Sequence, residues 1–321
     1  MIPGVLDSAC QQGFLYAIAV FGVVLTLRIM NWPDLTVDGS FTLGGALVAT
    51  MLTSGHGVWT ALVVAATAGF AAGTATFLLN RKLGISKILS GILVMLVLYS
   101  INLRIMGRAN ISLLRTDTLF SGFDDRGQGD PLRLAVFLAI AATFFVGLCY
   151  LAITRLGLFL RAAGDNEFMV RGLGVNTNWL YLIGLGLSNA LVAVSGALVA
   201  QHQGFADISM GTGLIITGIA ALIIGESLLA GIASARRLFA KSNPHAKTEV
   251  PVATRLLPWK TFGELTAAAA GAFLYFLIIA ICLRLGLAPT DLRLATGVLV
   301  IVGIGLQLRG PLVETYARGR L

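Results

Sequence analysis

Charge is what this sequence has least of. Only 12% of its 321 residues are Asp, Glu, Lys or Arg, against about 25% in an ordinary soluble domain, which excludes a water-facing surface of normal area. Cysteine is scarcer still: Cys10, Cys149 and Cys282 lie far apart, two of them inside apolar runs, so neither a disulfide framework nor a cysteine metal site is indicated. The three histidines, His56, His202 and His245, are scattered over loops and fall into no Ser/His/acid spacing, which argues against a membrane enzyme. No Gly-Lys dipeptide occurs, so the chain has no Walker A loop to hold nucleotide phosphates; if ATP drives it, another chain hydrolyses the ATP. Lys and Arg are missing before the first apolar run, so the basic start of a secretory signal is lacking and that run is expected to stay as a helix.

What is present is apolar. Hydrophobic residues make up 57% of the chain and mean hydropathy is +0.87, so lipid is the solvent for most of it. Glycine, at 38 positions, is the residue that lets membrane helices approach closely. The fold expected is all-α and polytopic, one transmembrane domain over 1–321, with about eight or nine membrane segments. Runs long enough to cross about 30 Å of hydrocarbon lie near 12–30, 57–79, 88–106, 132–153, 179–200, 208–230, 262–285 and 291–308. Between the first two, polar residues from Pro33 to Ser40 lead into an apolar stretch from Phe41 too short to span alone, which reads as a broken or re-entrant helix.

The net charge of +8 falls in short segments between apolar runs, so it marks topology and gives no reason to invoke nucleic acid. Residues 80–87 and the insert 231–261 are basic, the insert carrying Arg236, Arg237, Lys241, Lys247, Arg255 and Lys260 against Glu249. Both are expected in the cytoplasm, the insert as a solvated loop or a contact for a partner or anionic membrane lipid. The loop 104–131 balances four Arg against four Asp and is expected outside. Alternation then puts 154–178, the most polar helix-compatible stretch, in the cytoplasm, where it offers a docking surface to a soluble partner.

Ionisable groups at membrane depth are costly and mark function. Asp34, Thr36, Asp38, Ser40 and Phe41 sit in the broken segment and are expected on a translocation pathway, because unwound backbone survives at depth only where protein or water satisfies it; capping by Asp38 or Ser40 is the plain alternative. Asn189, inside an apolar run, lines a pore or bonds between helices. A proton- or ion-coupled secondary carrier, the rival reading, would depend on Asp38 or Glu226.

Three stretches, PDLTVDGSFTLGGA (33–46), YSINLRIMGRANISLL (99–114) and RAAGDNEFMVRGLGVNT (161–177), resemble permease subunits of bacterial ABC importers, in the branched-chain amino acid/ribose permease branch and closest to permeases paired with tryptophan/tyrosine-type binding proteins. The resemblance implies an inner-membrane subunit that imports a small organic solute, an amino acid such as tryptophan or tyrosine, together with a second permease copy, an extracytoplasmic substrate-binding protein and an ATPase chain carrying ATP and Mg. It implies a cytoplasmic coupling helix within 161–178, assigned by match to Arg161, Ala162, Gly164, Asp165, Asn166, Arg171, Gly174 and Val175. Glu167 stands where the family usually has Pro, and the 231–261 insert replaces a shorter link.

Overall fold

A computed structural model describes residues 2–114, 116–123, 131–241, 257–284, 294, 296–298, 301 and 305. In chain order the helices are α1 (Ile2–Val24), which widens into a π-helical turn at Leu25–Ile29, α2 (Thr36–Thr53), α3 (Val58–Leu83), α4 (Lys87–Met106), α5 (Pro131–Ile153), α6 (Arg155–Asp165), α7 (Glu167–Gly172), α8 (Thr177–Gln203), α9 (Leu214–Lys241) and α10 (Leu257–Arg284). Two three-residue strands, β1 (Asn110–Ser112) and β2 (Phe205–Asp207), pair antiparallel with Ile111 opposite Ala206. This ribbon is the one departure from an all-α fold among the described residues.

Six of these helices are long and apolar enough to cross a membrane: α1 with its π turn, α3, α4, α5, α8 and α10. Each is apolar all round, as a helix facing lipid on one side and protein on the other must be. The stretch expected to be broken is instead one continuous helix from Thr36 to Thr53. The break lies before it, at Met30–Leu35, because Pro33 disfavours helical backbone at the residue ahead of it and Asn31 takes a left-handed φ of 48°. The expected insert 231–261 is helical at both edges, in α9 and α10; residues 242–256 lie outside the described residues, as do 124–130 of the loop 104–131 and most of the run 291–308.

α2 is the centre of the molecule, wedged against α8, α3 and α4, with 13 of its 18 residues buried. α1 packs on α8, α5, α9 and α10. It runs antiparallel to α8: Ser195 Oγ donates to the Leu15 carbonyl at 2.8 Å and Ser188 Oγ to the Gly22 carbonyl at 2.7 Å. Helix backbones touch where glycine removes the side chain. A Cβ on Gly44 would lie 1.8 Å from the Ala193 carbonyl oxygen, and one on Gly196 would lie 2.0 Å from that of Phe41, so α2 and α8 meet backbone to backbone in both directions. The bundle has a ribbon end, where α4 and α8 finish, and a basic end, where Arg81, Lys87 and α7 lie together.

Candidate functional site

Two polar clusters stand out, one inside the bundle and one at its basic end. The inner cluster begins where the chain leaves the π turn. Trp32 N–H donates to the Thr26 carbonyl at 2.8 Å, and Asp34 follows, 1% exposed. Its Oδ1 accepts from Thr36 N–H at 2.9 Å, satisfying a donor of the first turn of α2, and its Oδ2 accepts from Asn189 Nδ2 at 2.7 Å. Asn189 Oδ1 in turn accepts from Ser40 Oγ at 2.7 Å, and the Thr36 hydroxyl meets that of Thr76 at 2.6 Å. These groups belong to the break, α2, α3 and α8, and all are buried, as polar groups in hydrocarbon must be if they are paired.

Of the residues expected on a pathway, Asp34, Thr36, Ser40 and Asn189 therefore form one network, closed to solvent within this chain. Asn189 is a bond between helices. Asp38 serves elsewhere: its carboxylate accepts from Gly213 N–H at 2.8 Å and Ile215 N–H at 3.0 Å and so caps the start of α9. Phe41 is fully buried and stacks on Tyr16, ring centroids 5.4 Å apart.

The basic-end cluster is built around α7. Thr154 caps α6, which stops at Asp165. Asn166 leaves helical backbone and its Oδ1 accepts from Met169 N–H at 3.1 Å, starting α7 afresh. Glu167 is an acid in the first turn of a helix, where the dipole favours it, and fits where a proline would also be tolerated. Gly174, with φ of 79°, ends the turn. The expected coupling segment is thus two helices and a corner: Arg161, Ala162 and Gly164 on α6, Asp165 exposed at its end, Asn166 at the corner, Arg171 on α7, and Gly174 and Val175 in the link to α8.

Both helices are tied down on their inner side. A Cβ on Gly164 would lie 2.2 Å from the Ile29 carbonyl oxygen, so α6 seats directly on the π turn. Arg161 reaches Glu264 of α10 at 3.9 Å. Tyr181 Oη donates to the Ala163 carbonyl at 2.9 Å, and its ring packs on Trp32 at 5.3 Å. Val170 is fully buried, whereas Phe168, Met169 and Leu173 are 84%, 52% and 67% exposed. Glu167 Oε1 accepts from Arg81 Nη2 of α3, from Arg171 Nη2 at 2.6 Å and from Thr177 Oγ1 at 3.1 Å. Burial pushes the Glu167 carboxyl up, but hydrogen bonds from Arg81 and Thr177 and the charges of Arg81 and Arg171 outweigh it and hold it below the usual carboxylate range. Reading the sequence missed Arg81, taken as a topology mark, and the aromatic pair Trp32 and Tyr181; cation and aromatic types were visible, but their partners lie 86 and 149 residues away.

Among the described residues no group of three His, Cys, Asp or Glu is placed to hold a metal, and neither cluster has the nucleophile and base of an enzyme. No solved structure gives a significant match to the chain. It is 37% identical over 294 residues to a tyrosine transport system permease protein of Clostridioides difficile, covering 92% of this chain and 88% of that one. It is 28% identical over 229 residues to the ribose import permease of Escherichia coli K12, covering 70% of each, and 29% identical over 257 residues to an autoinducer 2 import permease of Salmonella typhimurium, covering 72% of this chain and 68% of that one. The family model for the branched-chain amino acid transport system permease component matches residues 5–281, nearly the whole of the described bundle, and with these relatives it makes this multi-pass membrane protein a member of that family, the permease component of an importer.

Proposed function

We propose that the chain forms the translocation pathway of an ATP-driven importer of an amino acid, tyrosine or tryptophan in type, in the bacterial inner membrane. The basic end faces the cytoplasm by the positive-inside rule, which puts the ribbon and the start of α1 outside. α2 and α9 cross along with the six long apolar helices, making eight crossings, or nine with the run 291–308. A second copy completes the pathway, a binding protein delivers solute at the ribbon end, and a separate ATPase supplies ATP and Mg chemistry below. The residues first expected on the pathway, Asp34, Thr36, Ser40 and Asn189, enter this reading as the brace that holds the start of α2 beside it.

The single observation that carries the reading is the outer face of α7 and its C-cap: three large apolar side chains, Phe168 and Met169 on the helix and Leu173 just after it, are exposed, while the other face is fixed by Val170 and Glu167. Such a face beyond the membrane helices needs a protein to cover it. The secondary-carrier reading is disfavoured because its carboxylates are engaged, Asp38 as the cap of α9 and Glu226 in an ion pair with Arg28.

The test is to purify the complex through a tag on this chain. An ATPase subunit should co-purify, and Phe168→Ala with Met169→Ala should reduce its recovery about tenfold or more, the loss of a central apolar anchor pair. Undiminished recovery with that double variant, or uptake into vesicles without ATP, sinks the proposal.

A further inference from the structure

Resting on the docking role of α7, we propose that Glu167 is a positioning residue that carries the displacement of α7 into α3, through its ion pair with Arg81. The chain itself links α7 only to its sequence neighbours α6 and α8. α3 ended 84 residues earlier in the sequence, at Leu83, and is joined to α7 across space by this carboxylate.

The geometry suits transmission. One oxygen of Glu167 gathers donors from three helices: Arg81 near the end of α3, Arg171 on α7 itself, and Thr177 at the start of α8. Arg171 Nε also donates to the Thr177 hydroxyl at 3.0 Å, so the cluster is cross-braced. Thr177 is 2% exposed, which anchors the far side. α3 and α8 are in backbone contact further in, since a Cβ on Gly73 would lie 2.2 Å from the Leu185 carbonyl oxygen and one on Gly69 would lie 2.5 Å from that of Asn189. A pull on Arg81 therefore moves α3 and α8 as one body.

What that body controls is an apolar groove of about 730 Å³ between α3 and α4, floored by Leu43 and Leu47 of α2 and bordered at the basic end by Lys82 and Leu83, the two residues after Arg81. Tilting α3 at Arg81 changes the width of this groove first. A proline at position 167 would start α7 equally well but would leave Arg81 with no carboxylate, so Glu167 gives this chain a connection that proline cannot make.

The experiment reconstitutes the full complex with its ATPase and binding protein in vesicles and measures solute imported per ATP hydrolysed, alongside recovery of the ATPase on the tagged chain. Glu167→Gln keeps the shape and removes the charge. The ATPase should remain bound and active, while solute per ATP falls about fivefold or more, the range of an ordinary coupling energy. Arg81→Gln should do the same, and the exchanged pair Glu167→Arg with Arg81→Glu should restore at least half of the loss, which a merely local role would not produce. A wild-type ratio in Glu167→Gln overturns the proposal, as does loss of the bound ATPase in that variant, which would make Glu167 a docking contact. Failure of the docking reading itself shows separately, as undiminished ATPase recovery with Phe168→Ala and Met169→Ala.

Discussion

Asp34 and Glu167 are both carboxylates that hold the start of a helix, and they are held in opposite ways. Asp34 takes its hydrogen bonds from neutral groups, the Thr36 N–H and the Asn189 amide. Glu167 takes its bonds from two guanidinium groups and a hydroxyl, with about a quarter of its side chain open to solvent. The difference follows from the surroundings. With no water to compete, a few neutral bonds in fixed geometry suffice and none can be spared. Near water, charges attract but are screened, so the pair can be remade at small cost. The inner cluster is suited to permanence and the outer one to movement.

That contrast is broken most sharply at Asp34. Asp34→Ala leaves the Thr36 N–H and one Asn189 amide bond without an acceptor in a buried site, so we expect a loss of about 2–4 kcal/mol, read as a lowered unfolding midpoint in detergent. Stability equal to wild type would mean that the inner network is not structural. Next in size is the seam beside it: Gly44→Ala should cost about 1–3 kcal/mol through forced separation of α2 and α8, and an unchanged midpoint would show that the seam yields.

The smallest effect is expected at the outer cluster, where Glu167→Gln should lower stability by less than about 1 kcal/mol, and its pH dependence sharpens the comparison. The folded carboxyl lies below its ordinary value, so the ion pair contributes fully above the ordinary carboxylate pKa near ~4.3 and is lost as pH falls through the lower folded value. The midpoint difference between wild type and Glu167→Gln should therefore be constant from neutral pH down to about 5 and should vanish in stronger acid. A difference that grows on acidification contradicts the lowered pKa.

How much was legible in the sequence follows the same division. Spans declared themselves by length and hydropathy, and the polar run from Asp34 to Ser40 flagged the inner cluster because polar groups at depth are rare. Polar neighbours pointed to Asp38 rather than Asp34, and only packing decides that Asn189, 155 residues on, meets Asp34. The apolar stretch from Phe41 looked too short because the helix begins five residues earlier, in the polar run Thr36 to Ser40. Asn166 and Glu167 carried a readable helix-start signal, but the partner Arg81 was hidden: a basic residue beside an apolar run looks the same whether it marks topology or closes an ion pair.

The glycine seam between α2 and α8 has one more consequence, which concerns register. Side chains four residues apart lie on the same helix face, so sliding α2 by one turn along α8 would bring Ser40 or Val48 to the place of Gly44. Either would drive a Cβ to within 1.8 Å of the Ala193 carbonyl oxygen, whereas Gly196 meets only backbone of α2, at Phe41, and would meet backbone again after the slip. Apolar side chains in lipid would tolerate such a slip, since one greasy contact replaces another. The contact at Gly44 does not, and it sets the height at which α2 rests against α8.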